Sequence, residues 1–291
     1  MNQSNLKKLQ NLLKEKDIDI FVINRSDEYL NEYISPNAER LNFITNFSGS
    51  AGRAIITPTD AFLYVDGRYT FQANTQINAK EIQAKHLNSF WTDLEKILLE
   101  EEYKIALDPT LHSIIEIEKV EKMLENSTSQ LQLIDKNFVD LIWENQPKTQ
   151  YTDIFDHPTS FAGQSRSEKL DILKKFLDQN EIDHYFVSGL DNIAWLLNLR
   201  ADDIKYTPLL YSYLLISKNN KHSLYIKESS MPEILKKEIQ TLININNIEN
   251  IGSIFNNINS SESIGLDFNS TTFYFLDLLR KQKINTKNLA N

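Results

Sequence analysis

The chain has 291 residues, a formal net charge of −9 and no cysteine. The excess of 40 acidic over 31 basic side chains argues against an extended phosphate-binding face, which needs clustered Lys and Arg, and so against a nucleic-acid partner. The missing cysteines exclude disulfides, thiolate metal ligands and thiol nucleophiles, and the length is too great for one comfortable core, so two domains are expected.

In chain order, the leucines of residues 1–19 are spaced for an amphipathic helix, without the continuous apolar core of a signal peptide. The longest apolar-looking stretch, 209–216, is interrupted by Ser212 and too short to span a bilayer. A soluble, cytoplasmic protein with no membrane partner is the expectation. The first helix leads into a strand, Ile20 to Ile23. After a further apolar run ending at Phe47 comes a turn of small residues, Ser48, Gly49, Ser50, Ala51 and Gly52. Small residues there suit a close approach of backbone. A strand over Phe62 to Val65 then delivers Asp66, Gly67, Arg68 and Tyr69. Asp66 is placed to cap the following helix, with Arg68 in its first turn. Arg53 and Arg68 can each pair with a carboxylate and fix the loop. The alternative is that Arg68 or Tyr69 projects towards a substrate.

The second half repeats the first. Leu6, Leu9, Leu13, Ile18, Asp19 and Asp27 recur as Leu170, Leu173, Leu177, Ile182, Asp183 and Asp191, all 164 residues later. Residues 42–47 line up with 194–199 at an offset of 152, Leu63–Val65 with Leu224–Ile226, and Ile105–Asp108 with Ile264–Asp267. Each copy reads as a helix followed by a strand, His184 to Val187 being the second copy's strand. The expected domains are residues 1–147 and 165–291. A linker spans 148–164, and a Ser-x-x-Glu capping box at Ser165 and Glu168 opens the next helix. Both halves mix strands and helices, so an α/β fold with a mixed sheet in each domain is expected. The Asn-rich tract 243–259 reads as helix and loop on the second domain's surface, and 271–283 as a last helix.

Chemistry-bearing residues are few. His112 and Glu116 stand at i, i+4 on an expected helix, the one spacing that could set two metal ligands side by side; the alternative is an exposed polar helix face. His184 falls in the repeat strand, at the position of Ile20, and reads as half-buried and structural. Ser50, in Gly-Ser-Ala-Gly, resembles a nucleophile turn only loosely, with no histidine near it in sequence. Trp91, Trp143 and Trp195 read as core or interface anchors. No His-Glu-x-x-His run, phosphate-cradling loop or Gly-x-Ser-x-Gly elbow is present.

The ordered series Ser48–Gly52, Asp66–Tyr69, Ile142–Trp143, Ser165–Leu170, Asp191–Arg200, Pro208 and Tyr211–Ile216 resembles the cytosolic Xaa-Pro aminopeptidases, the aminopeptidase P branch of the creatinase/prolidase group. Asp27, Glu32 and Tyr33 match an Asp-x-x-x-x-Glu-Tyr pattern of that family, and Tyr29 departs from it where many relatives carry His. The resemblance implies two tandem creatinase-like N-terminal domains. In the family these precede a pita-bread catalytic domain whose two Asp, one His and two Glu hold a dinuclear metal site, usually manganese, that attacks the bond before proline. No stretch matches those ligand segments, so the resemblance assigns no catalytic or metal-binding residue here and no cofactor to this chain. Ser48, Gly49, Ser50, Gly52, Asp66, Gly67, Trp195 and Arg200 become structural motif residues, and Arg53, Arg68 and Tyr69 candidates for an interface or access loop. The implied partners are a C-terminal catalytic domain, a second subunit in a homodimer and proline-containing peptides. The expected function is the non-catalytic N-terminal region of a truncated Xaa-Pro aminopeptidase, shaping substrate access and subunit association. The alternative is a free-standing binding module without enzymatic activity.

Overall fold

A computed structural model describes residues 4–219 and 221–290, which divide into two compact units. The first comprises residues up to 28 together with 34–148, the second 29–33 together with 149–291.

The first unit opens with α1 (Asn5–Glu15), N-capped by the Ser4 hydroxyl, whose leucines 6, 9 and 13 are buried. It runs into β1 (Ile20–Asn24), every residue of which is buried. A strand buried on both faces must sit inside a sheet covered on both sides. The sheet is built from β1, β2 (Gly52–Ile56), β3 (Ala61–Val65), β4 (Gln83–His86), β5 (Lys104–Leu107) and β6 (Gln130–Leu133), in the order β4-β3-β2-β1-β5-β6. β1, β2 and β3 pair antiparallel; the β3–β4, β1–β5 and β5–β6 pairs are parallel. Parallel neighbours need crossovers. These are supplied by α3 (Thr70–Gln76), α4 (Phe90–Glu100) and α5 (Ile114–Leu124). Phe21, Ile23, Ala54, Leu63 and Val65 join one core with α1, α2 (Arg40–Thr45) and α6 (Phe138–Ile142). Tyr64 points the other way, packing edge-on against Phe90 of α4 at 5.2 Å.

The second unit repeats this plan. After β7 (Phe155–Asp156) and the short α7 (Thr159–Ala162), α8 (Arg166–Gln179) opens with the expected capping box. Then follow β8 (His184–Val187), α9 (Leu190–Leu197), β9 (Leu199–Arg200), β10 (Tyr213–Ser217), β11 (His222–Ile226) and α10 (Glu233–Ile239). The chain closes with β12 (Ile243–Asn247), β13 (Ser263–Leu266), α11 (Phe273–Lys281) and β14 (Asn285–Asn288). The sheet order is β12-β11-β10-β8-β13-β14, with the same alternation of parallel and antiparallel pairs as in the first unit. Ile20 stands opposite Ile105, and His184 opposite Ile264, so the two central pairs share one register. Left-handed residues repeat as well. Asp17 and Glu181 follow α1 and α8, and Asn46 and Asn198 close α2 and α9 with positive φ. Such residues cost about 1 kcal/mol or more unless Gly or Asn fills them.

Several local expectations change. Residues 149–164 are not a bare linker: Ile154 is buried in the second core, and β7 pairs with β9. The Asn-rich tract opens with a strand, β12, that the expected helix and loop did not include; the helical part is a 3₁₀ stretch over Ile248–Ser253, followed by loop. Ile243 and Ile245 alternate with asparagines at the period of a strand, and β11 supplies the hydrogen-bonding edge. Past the last helix lies β14, whose polar sequence suits a sheet edge and hides it from pattern reading. His184 is fully buried, its Nδ1 3.0 Å from the Ser217 hydroxyl.

His222 is also buried, and its Nδ1 accepts the backbone N–H of Ser217 at 3.1 Å, a bond only the neutral ring can make. Burial, reinforced by the charge of Lys174, holds its pKa down at about 4. A depressed histidine pKa contributes stability that is present above about 6.5, the unfolded value, and lost as pH falls towards 4. His222→Asn should therefore flatten the stability profile between pH 7 and 5 by about 2 kcal/mol, measured by urea unfolding at each pH. An unaltered slope would contradict the neutral buried ring.

Candidate functional site

The two small-residue segments of the first unit meet at one corner, where β2 begins and β3 ends. The Ser50 hydroxyl lies 2.6 Å from the Tyr69 hydroxyl, and Gly52 pairs with Val65 across the strands. Asp66 accepts the backbone N–H of Arg68 at 3.0 Å and so caps a single 3₁₀ turn (Gly67–Tyr69) ahead of α3. The Arg68 Nε also donates to Asp66, at 2.8 Å, and these bonds hold the Asp66 carboxyl below its usual range. Ser48 is fastened to α3, accepting from Gln72 and Gln76 and donating its backbone N–H to Gln76. Arg25, just past the end of β1, ties in by donating to the Ser50 carbonyl at 3.3 Å and to Glu39 at 3.1 Å.

Two glycines are required by contact. A Cβ on Gly49 would lie 2.2 Å from the tip of the buried Phe47 ring, itself packed edge-on against Tyr69. One on Gly52 would meet Phe47 at 3.0 Å and the Tyr64 carbonyl at 3.3 Å. The turn is thus a place where two rings and two strands close on bare backbone. Nothing in it activates Ser50, whose neighbour is a tyrosine hydroxyl.

The two arginines differ. The Arg68 side chain is 75% exposed, lying beside Asp66 and over the Tyr69 ring. Arg53 is half-buried, paired with Glu116 and stacked over Phe90 and Trp91 at 5.2 and 5.3 Å. Glu116 also accepts from Asn24 at 3.2 Å and completes the capping box of α5 with Ser113. His112 therefore lies outside the helix, not in its first turn. It is buried rather than exposed, its Nδ1 2.9 Å from the Asp108 carbonyl, and burial lowers its pKa. Among the described residues, no three His, Asp or Glu side chains gather in a way that could hold a metal ion. A dinuclear centre does not fit these residues.

In the second unit, the Trp195 side chain is half-exposed instead of anchoring a core. Beneath it Lys169 is buried, donating to the Trp195 carbonyl and to Asn198 Oδ1, both at 2.7 Å, with its ammonium 4.4 Å over the indole. Burial, and secondarily the charge of Arg200, holds the Lys169 pKa below the ordinary range. Arg200 donates to the carbonyls of Ala194 and Leu199, closing the end of α9. Tyr29 stacks on Tyr211 and Tyr213 at 5.2 and 4.7 Å. With Glu32, Tyr33, Asp191 and Asp267 it lines a hollow of about 380 Å³ whose wall also includes Leu30, Ile204 and Leu209. One important residue escaped the sequence reading. Arg40, buried, bridges Glu28 at 3.0 Å and Asp140 at 2.8 Å, joining α2 to α6 across a separation of 100 residues that no local pattern reveals.

Comparison with known proteins places this geometry. The creatinase/prolidase N-terminal domain family matches twice, over residues 5–136 and 145–290. The chain belongs to that family, as two consecutive N-terminal domains. Curated relatives include probable Xaa-Pro aminopeptidases P from Paracoccidioides brasiliensis, 34% identical over 80% of this chain, and Aspergillus niger, 35% identical over 79%. The chain spans only 38% of the length of each. A crystal structure of a cytosolic X-prolyl aminopeptidase with a di-nuclear active site, from Caenorhabditis elegans, matches 98% of the chain and 49% of its own at a TM-score of 0.89. At 23% identity that likeness carries the fold. Among the described residues no helix is long and apolar enough to cross a membrane.

Three substitutions test the corner. Arg68→Ala should leave the thermal midpoint unchanged, because an exposed pair contributes little. Arg53→Ala removes the cation paired with the half-buried Glu116 and uncovers the faces of Phe90 and Trp91, and should cost roughly 1–3 kcal/mol in denaturant unfolding. The reverse order would refute the assignment of Arg53 as the structural arginine. Gly49→Ala must displace Phe47 and Tyr69 and should cost about 1–3 kcal/mol; calorimetry showing an unshifted midpoint would mean the turn yields freely.

Proposed function

We propose that this chain is the non-catalytic N-terminal region of an Xaa-Pro aminopeptidase-like metallopeptidase, a scaffold that shapes substrate access and supports subunit association. The observation that carries the reading is the extent of the match. Both units align in order with Xaa-Pro aminopeptidases P over 80% of the chain, while occupying 38% of the relatives' length. The described residues offer no metal-holding cluster, which supports placing the reaction in the part of such enzymes this chain does not align with. In that setting the parent protein would remove the residue preceding proline with a dinuclear metal centre, manganese in our reading. It would act in the cytoplasm as a homodimer. The contribution of this chain would be positional: Ser48–Gly52 and Asp66–Tyr69 form a rigid, small-residue corner with Arg68 and Tyr69 at its surface. Those two residues are our candidates for contact with a catalytic domain, a second subunit or peptide.

The test has two arms. The purified chain, with or without added manganese, should not hydrolyse Xaa-Pro peptides above the solvent background. Placed in the N-terminal position of an aminopeptidase P relative, it should yield a folded chimera with Xaa-Pro activity, and Arg68→Ala in the chimera should lower that activity without altering stability. Chelator-sensitive turnover by the chain alone would overturn the reading. So would a folded, metal-loaded chimera that is inert.

A further inference from the structure

The second unit carries an apolar groove of about 260 Å³ between α8 and α9, lined by Ile172, Phe176, Tyr185 and Trp195, with Lys169 at its base and Ala290 at its rim. Ile172 and Trp195 are each about half exposed there, 53% and 52%. We propose that this groove is the seat of a short amphipathic helix with an aromatic anchor, supplied by polypeptide continuing beyond residue 290. The inference rests on the internal repeat and does not depend on the peptidase reading.

The first unit shows the same groove filled. At the offset of 164, Lys169, Ile172, Phe176 and Tyr185 correspond to Asn5, Lys8, Leu12 and Phe21; at 152, Trp195 corresponds to Phe43. The equivalence is structural: Asn5 donates to the Phe43 carbonyl at 3.0 Å, as Lys169 does to that of Trp195. In the first unit α6 and Trp143 lie over these positions. Trp143 stacks on Phe43 at 4.4 Å, Phe138 packs on Phe21 at 5.1 Å, and Glu144 reaches Lys8. The approach is also shared. Gln130 of β6 pairs with Lys104, and Asn285 of β14, 155 residues later, pairs with Ser263. One step on, the Ile134 N–H donates to Leu107 and the Leu289 N–H to Leu266. The first unit then turns into α6. The second has reached the groove's rim at Ala290, and its relatives are more than twice its length. Where Lys8 offers a charge for Glu144, the second unit offers Ile172, so the occupant presents an apolar side chain at that point. Ile172 and Trp195, half-exposed in one apolar groove with the partly buried Phe176, otherwise form the kind of patch that a partner usually covers.

The test extends the chain after Asn291 with Asn-Phe-Val-Asp-Leu-Ile-Trp-Glu, the sequence of residues 137–144, which restores the offset of 155. A control extension carries Ser in place of the Phe and the Trp. Hydroxyl-radical footprinting should show the oxidation of Trp195 falling several-fold with the apolar extension alone, with a thermal midpoint higher by several degrees. Ile172→Asp, an exposed position that leaves the core intact, should abolish both effects. Equal Trp195 oxidation with both extensions would overturn the proposal. So would protection of Trp195 in the unextended chain that follows a concentration-dependent dimer in sedimentation, which would make a second copy the occupant.

Discussion

The central strand of each unit, β1 and β8, is buried on both faces and along its whole length. A backbone in that position has no water to fall back on, so every N–H and C=O must be met by neighbouring strands. Each strand takes an antiparallel partner on one side and a parallel one on the other. The antiparallel side is served by short turns. The parallel side demands a crossover through α4 or its counterpart segment, and the core follows from where those crossovers lie. Helices α1 and α8 hold the entry to the strand in place through a left-handed residue, Asp17 or Glu181, that reverses the chain.

The corner of the first unit is a consequence of that frame. β2 and β3 must pair closely beside β1, and the turn feeding β2 has to pass under Phe47 and Tyr69, which leaves no room for a Cβ at Gly49. Small residues there report packing first. What remains available for recognition is the exposed side of the same turn, where Arg68 stands over the ring of the half-buried Tyr69. Away from the corner, at the face between the first two helices, the second unit departs from the first: Phe43 becomes a half-exposed Trp195, and the amide of Asn5 becomes the buried ammonium of Lys169. A lysine that binds two neutral oxygens under an indole is costly unless the indole shields it. The substitution therefore ties the exposed ring to the buried charge.

Much of this was legible in the sequence. Leucines at a shared offset of 164 exposed the repeat, the Ser-x-x-Glu box marked α8, and the apolar run of β3 placed Asp66 at a strand end. The family motifs are local and ordered, so they survive where overall identity is low. Other features depend on partners far along the chain. β14 and β12 are polar edge strands whose hydrogen bonds come from neighbours, and nothing in Asn285–Asn288 alone announces a strand. Arg40 gains its role from Asp140, and Arg53 from Glu116, which also converts the expected His112–Glu116 pair into a capping box and a buried, hydrogen-bonded ring. Trp195 reads in the sequence as a core or interface anchor, and only the folded unit displays that it stands half-exposed at a groove rather than in a core.

The two units share one frame, and amide hydrogen exchange read residue by residue tests that most directly. Slow exchange tracks the parts of a structure that open only with global unfolding. The frame predicts matched maxima of protection, at Phe21–Ile23 with Ile105–Leu107 in the first unit and at Tyr185–Val187 with Ile264–Leu266 in the second, declining towards β4, β6, β12 and β14. Protection in the second unit centred on β11 and β12, with β8 and β13 exchanging early, would contradict it.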